Sequence, residues 1–167
     1  TFISSSTVYK HLKSVGKVEP YERRPAPWKE PLYEIVGANM MWGADWTQLR
    51  IGGVRWYLLN LIDFYSRLIV HFEIVPTVNA GHVVNLYETG LAKYNIPLDL
   101  PIKPELRLDR GSPNTSRVTK TFFKDIQADL SFARVRRPTD NARTERFYRT
   151  IKQEEIYVVG DYQDEQV

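Results

Sequence analysis

Between residues 41 and 75 the apolar positions fall into three extended runs, MWGADWTQLRI, VRWYLLNLID and LIVHFEIV. Gly52 and Gly53 separate the first two and FYSR (64–67) separates the last two, so the pattern predicts three consecutive strands joined by tight turns. The second run is apolar through its middle and is expected inside the sheet rather than at an edge. Farther on the period lengthens. In NAGHVVNLYETGLAKYN (79–95) Val83, Val84, Leu86, Tyr87 and Leu91 share one side of a helix that Thr77 or Asn79 would start. ELRLD (105–109) reads as a short strand, SPNTSRVTKTFFKDIQ (112–127) as a second helix capped at Asn114 or Thr115, and SFARV (131–135) as a fifth strand. RPTD then stops the strand and opens a long helix from about Asn141 to Val158. The order of elements is βββαβαβα.

Two different segments precede this block. TFISSSTVYKHLKSVGKV (1–18) carries a helix with a cap at Ser4, Ser5 or Ser6, an apolar side of Val8, Tyr9 and Leu12, and a stop at Gly16. It looks like the last helix of a helix-turn-helix, with Lys10 and small polar residues turned to a DNA groove; taken alone, its residues favour a plain amphipathic helix. Residues 19–35 begin with EPYERRPAPWKEPL, whose four prolines predict an extended linker. Arg23, Arg24 and Lys29 either touch a nucleic acid backbone there or only solvate the chain. Residues 36–167 make up the main domain.

With 167 residues, 43% of them hydrophobic, the chain supports one core and a small appendage. No apolar run approaches the ~20 residues of a membrane span, so no membrane partner is expected. The absence of cysteine excludes disulfides and thiolate zinc sites and fits a reducing cytoplasm. The chain starts at Thr1 without methionine or a visible signal peptide, as a piece of a longer protein would. Net charge is only +3, but seven basic residues between Arg134 and Lys152 face two acids, Asp140 and Glu145. That local surplus fits a phosphate-binding surface as well as it fits a solvated helix with salt bridges.

Three acids define the candidate chemistry. Asp45 lies in the middle of the first strand run, Asp109 ends the fourth beside Arg110-Gly111, and Glu145 lies on the last helix, 36 positions after Asp109. Carboxylates brought to one point repel each other unless a cation lies between them, and such hard oxygen donors suit Mg²⁺ or Mn²⁺. Two such ions activate a nucleophile and stabilise a leaving oxygen on a phosphodiester. At ~100° per residue, Arg149, Lys152 and Asn141 fall within ~40° of Glu145, while Thr144, Phe147, Tyr148 and Ile151 occupy another arc and should face the core. Glu154 and Glu155 compete for the role of third acid, Glu154 from nearly the opposite side. Asp63 reads as a turn cap. Ser112 and Asn114 read as loop-ordering residues, with substrate contact as the alternative. His11, His71 and His82 are scattered.

The motifs GADWTQL, DFYSR, LDRGSPNTS and DNARTERFYRTIKQEEIY, in that order and spacing, resemble the catalytic core of bacterial insertion-sequence transposases of the retroviral-integrase-like (Asp, Asp, Glu) superfamily. The resemblance spans roughly residues 36–162. It implies an α/β, RNase H-like fold with a mixed five-stranded sheet flanked by helices. It implies an enzyme that cleaves DNA and transfers the strand during transposition, with Asp45, Asp109 and Glu145 as catalytic residues holding two Mg²⁺ or Mn²⁺ ions per site. Arg149 and Lys152 would hold phosphates, with Asn141, Arg143 and Arg146 as further DNA contacts. The partners would be element ends and target DNA, the active complex a homo-oligomer, and the location the bacterial cytoplasm. Two rivals remain: an RNase H-like nuclease that cuts without joining, and an inactive DNA-binding remnant. The chain departs from the family pattern at Asn114, where an aromatic is common, and at Arg146, where serine is frequent. The zinc-binding His/Cys module of retroviral integrases is absent, since there is no cysteine.

Overall fold

A computed structural model describes residues 4–17, 34–134 and 142–162. Contacts divide the chain into two units, Thr1–Leu32 and Tyr33–Val167. The first holds helix α1 (Ser5–Ser14). Ser4 caps it by accepting from the Thr7 N–H, and Gly16 ends it at φ 67°, a left-handed position that glycine takes without strain. The apolar side chains Val8, Tyr9 and Leu12 are exposed. The proline-rich stretch falls almost wholly outside the described residues.

The second unit is built on one sheet. Strands β1 (Met41–Ile51), β2 (Val54–Asp63) and β3 (Ile69–Val75) pair antiparallel, and β4 (Glu105–Leu108) and β5 (Leu130–Phe132) join in parallel on the other side of β1. The spatial order is β3-β2-β1-β4-β5, so β1 is the central strand and β2 lies inside the sheet as its apolar middle predicts. Gly52 and Gly53, at φ 55° and 74°, make the two-residue hairpin between β1 and β2. Asp63 closes the next turn, its carboxylate accepting from the backbone N–H groups of Asn39 and Ser66 and from the Ser66 hydroxyl.

Because successive strand residues point to opposite faces, the sheet has two interfaces. On one face Trp42, Ala44, Leu59, Leu61, Leu106 and Leu108 pack with Val83, Leu86, Tyr87 and Leu91 of α2 (Ala80–Lys93) and with Phe123. Asn79 caps α2 by accepting from the His82 N–H. Val84 is only half-buried; Gly90 is buried in the helix face instead, where a Cβ would sit 2.5 Å from Leu61 Cδ2 and 3.1 Å from the Trp42 ring. Helix and sheet approach each other more closely there than any side chain allows.

The expected single helix over 112–127 is broken in two. A short turn of helix, α3 (Ser112–Thr115), is followed by α4 (Arg117–Asp125), and Ser116 between them is extended, with ψ 158°. Ser116 caps α4 by accepting from the Thr119 N–H, so the cap lies after Asn114 and Thr115 rather than at either. Both are engaged elsewhere: the Asn114 amide reaches back to Asp109, and the Thr115 hydroxyl donates to the Gly111 carbonyl.

The opposite face of the sheet is covered by α5 (Ala142–Ile151). The helix is not continuous to Val158 as its pattern predicts. It passes into one wide π-helical turn (Lys152–Ile156) before a last α-helical stretch, α6 (Tyr157–Val159). Measured from Glu145 at ~100° per residue, a regular helix would put Ile156 at about 20°, on the Glu145 side. One wide turn sets the chain back by about one residue, or ~100°, which carries Ile156 to the arc of Tyr148. Ile156 is accordingly buried against Leu49, Ile51 and Leu58. A second apolar cluster under α5 joins Met41, Ile62 and Phe64, with Ile35 and Phe147 packed on it.

Candidate carboxylate site

The parallel register of β1 and β4 pairs Gly43 with Arg107. Two residues farther along, just past the end of β4, Asp109 lies near enough to Asp45 for its charge to act on it. The fold thus sets side by side two acids that are far apart in sequence. Asp45 is half-buried in β1, and its Oδ1 accepts from the Trp46 N–H at 2.8 Å. Asp109 follows the last residue of β4, and its Oδ1 accepts from the Gly111 N–H at 2.8 Å and the Asn114 Nδ2 at 2.6 Å. Gly111 has to lack a side chain, since a Cβ there would stand 2.9 Å from Asp109 Oδ1 and 3.2 Å from the Trp46 ring. Asn114, fully buried, therefore orders the Asp109 loop, the first of the two roles its sequence allowed.

Glu145 reaches the site from α5. Thr144 and Tyr148 on that helix are buried and Phe147 and Ile151 pack on the clusters below, so the core arc lies where the helical pattern predicts. The Tyr148 hydroxyl donates to the carbonyl oxygen of Asp45 at 2.6 Å, with that of Leu58 at 3.4 Å. One turn after Glu145, this bond pins α5 to the strand residue that carries the first acid. Burial, then the nearby Asp45 charge, push the Tyr148 phenol far above its ordinary range, so it stays a neutral donor.

Asp45, Trp46, Glu145, Arg149, Lys152 and Tyr157 line an open cleft of about 450 Å³. Arg149 and Lys152 thus share the cleft with Glu145. Tyr157 does so because of the wide turn, and sequence periodicity alone misses it. Arg143 lies over the Phe64 ring at 5.3 Å, and Arg146 is exposed; neither lines the cleft. Asn141, Arg136 and Arg137 lie outside the described residues. Glu154 is exposed, and Glu155 accepts from the Tyr162 hydroxyl and borders an apolar cavity instead, so neither lines the cleft.

Asp45 senses both its burial and the other two acids. The Asp45 pKa rises from 3.8 to about 6, first because the group is buried, and then because Asp109 and Glu145 repel its charge; the Trp46 N–H and Lys152 oppose the rise. Among the described residues no three acidic, imidazole or thiol groups are already gathered tightly enough to hold a metal ion. The donor chemistry nonetheless suits a hard divalent cation: three carboxylates, one of them made reluctant to ionise by its burial and, less, by the other two. A cation would reverse that reluctance.

Residues 36–138, more than half of the chain, match the family model described as integrase core domain. The chain is 27% identical over 145 residues to a transposase for insertion sequence element IS904 of Lactococcus lactis subsp. lactis (strain IL1403), covering 84% of this chain and 56% of that one. It is 26% identical over 126 residues to the putative transposase InsK for insertion sequence element IS150 of Escherichia coli (strain K12), covering 75% and 43%. The chain therefore spans about half the length of these relatives. Among solved structures, the HTLV-2 integrase catalytic core domain in complex with magnesium superposes with a TM-score of 0.55 at 16% identity, over 71% of this chain and 70% of that one. The simian T-cell lymphotropic virus intasome in complex with PP2A regulatory subunit B56 gamma superposes with a TM-score of 0.62 at 13% identity, over 91% and 55%. These likenesses show the RNase H-like fold that the motif resemblance implied. With a family model over its central sheet and insertion-sequence transposases as its relatives, the chain belongs to the integrase core domain family.

Proposed function

We propose that this chain is the catalytic core of a DNA transposase that acts in the bacterial cytoplasm as a homo-oligomer on element ends and target DNA. Water attacks a phosphodiester at the element end and frees a 3′-hydroxyl. That hydroxyl then attacks a target phosphodiester, forming a new bond to phosphorus as the target 3′-oxygen leaves. The observation that supports this reading is that Asp45 and Glu145 line one cleft with two cations, Arg149 and Lys152, with Asp109 near enough for its charge to act on Asp45. Asp45, Asp109 and Glu145 would hold two divalent ions, Mg²⁺ or Mn²⁺, which when bound supply Lewis-acid stabilisation of the reacting phosphate and its nucleophile.

The chain's other residues bind and orient. Arg149 and Lys152 take phosphates at the cleft, and Arg143 and Arg146 extend the basic surface beyond it. Asn114 and the Gly111 N–H aim Asp109, and Tyr148 holds α5 over Asp45. DNA supplies both nucleophile and leaving group, so no serine, cysteine or histidine is required.

The test is a strand-transfer assay with the full-length protein, a pre-cut element end and Mg²⁺. Wild type should join ends, and Glu145→Gln should keep its fold and its DNA binding while losing joining by several orders of magnitude. Cutting without joining would favour a nuclease of the same fold, and neither reaction in wild type would favour an inactive binding remnant. A Glu145→Gln protein that still joins DNA would pass the third acid's role to Glu154 or Glu155.

A further inference from the structure

The α5-facing side of the sheet holds two apolar patches, one around Leu49, Leu58 and Ile156 and the other around Met41, Ile62 and Phe64. On the same interface lie buried polar side chains: Thr47 on β1, Asn60 on β2, and Thr144 and Tyr148 on α5. Asn60 and Thr144 are completely buried, at 0% exposure. Asn60 stands directly across the ladder from Asp45, so the two side chains leave the same face of the sheet. Thr144 and Tyr148 flank Glu145 on α5, one residue before it and three after.

Tyr148 has partners in the carbonyl oxygens of Asp45 and Leu58. Asn60 has none: among the described residues, neither its Nδ2 nor its Oδ1 makes a hydrogen bond. Leaving a polar group buried and unsatisfied destabilises the fold, because water's hydrogen bonds are lost and nothing replaces them. A leucine of nearly the same shape would avoid that cost, and the flanking residues of the strand, Leu58, Leu59, Leu61 and Ile62, are all apolar. An amide kept there calls for a state in which it is used.

We propose that Asn60 is a positioning residue of the carboxylate site, whose amide engages the Tyr148 hydroxyl when the three carboxylates share a divalent cation, fixing Glu145 against Asp45. Nδ2 donates to the Tyr148 oxygen, whose own proton stays on the Asp45 carbonyl. The metal-free chain then bears the cost of the idle amide, and the cation-bound chain recovers it. The inference rests on the proposed reading of the site as a cation-holding one.

The experiment uses full-length protein, with Mn²⁺ alone as the probe and thermal melting as the readout. Wild type should melt higher as Mn²⁺ is added, by the linkage of binding to folding. Without metal, Asn60→Leu should melt at or above wild type, and its DNA binding should be unchanged. It should need at least tenfold more Mn²⁺ for the same rise, the lower end of the ~10–100-fold that outer-shell partners contribute. Asn60→Ala, which cannot overpack, should lose the response equally, and Asn60→Thr, which keeps a donor and an acceptor, should restore part of it. An undiminished Mn²⁺ response in the leucine and alanine variants overturns the role of Asn60. So does a leucine variant that melts well below wild type without metal, since the amide would then already be satisfied by a buried water. A wild-type protein with no Mn²⁺ response overturns the cation reading of the site itself, and no variant is needed to see it.

Discussion

Replacing Asp45 by asparagine should make the metal-free protein more stable at neutral pH while destroying its chemistry. The folded chain holds the Asp45 proton up to about pH 6, against 3.8 for an ordinary aspartate. A raised folded pKa means that the full stability is present below the unfolded value and is lost as pH rises through the folded one. Above pH 6 the native state must keep a half-buried carboxylate ionised beside Asp109 and Glu145. The displacement corresponds to about 3 kcal/mol, and water in the open cleft lowers that to about 2 kcal/mol. Asparagine removes the charge, keeps an oxygen for the Trp46 N–H, and offers an amide to the neighbouring acids. At about 2–4 °C per kcal/mol for a chain of this size, Asp45→Asn should melt about 4–8 °C above wild type at pH 8. The gap should close toward pH 4, where the wild-type group is protonated. The assay is a pair of melting curves at half-unit pH steps in chelator. A gap independent of pH, or an asparagine variant that melts lower at pH 8, would refute the electrostatic argument.

Three further outcomes follow from other parts of the structure. Tyr148→Phe removes the 2.6 Å bond to the Asp45 carbonyl; denaturant unfolding should show a loss of about 1–2 kcal/mol, and strand transfer should fall while DNA binding stays. Arg149→Ala with Lys152→Ala should weaken DNA binding, and every phosphate left without its cation should reduce the log–log salt slope by about 0.9 in a filter-binding titration; an unchanged slope would remove this helix face from the DNA surface. Gly90→Ala forces a methyl group against Leu61 and Trp42 and should cost about 1–3 kcal/mol in a melting experiment.

Much of the fold was legible because it follows local rules. Gly52-Gly53 forced a hairpin, the turn after β2 needed Asp63, and the apolar middle of β2 placed it inside the sheet. The three acids were proposed from motifs that resemble a known family, and the nearness of Asp109 to Asp45 depends on the parallel pairing of β1 with β4, which leaves no local trace. The break at Ser116 was missed because Asn114 and Thr115 are equally good caps by composition, and only their contacts with Asp109 and Gly111 show that they are engaged elsewhere. Asn60 stood in plain view within LLNLI, but its significance lies in what fails to meet it, and that is a property of packing. The Tyr148 tether was hidden for a related reason: periodicity places the ring in the core and says nothing about where its hydroxyl ends.

The wide turn at Lys152–Ile156 has a consequence for how this protein tolerates change in length. It joins two frames: upstream, residues are counted from Glu145 and serve the cleft; downstream, they are counted from Ile156 and anchor the tail on β1, where Tyr162 bridges to Ile51. Substitutions within the turn leave both frames intact. Deleting Gln153 would take out the extra residue and leave a regular helix, in which Ile156 stands ten residues after Glu145 at about −80°, the direction it already has, and Tyr157 still turns to the cleft. Such a deletion should cost little more melting temperature than Gln153→Ala, and a far larger loss would count against the two-frame view. A related chain without the extra residue would have to carry its apolar anchor one position earlier, so matching the two by simple colinearity pairs the wrong residues from this point to the end.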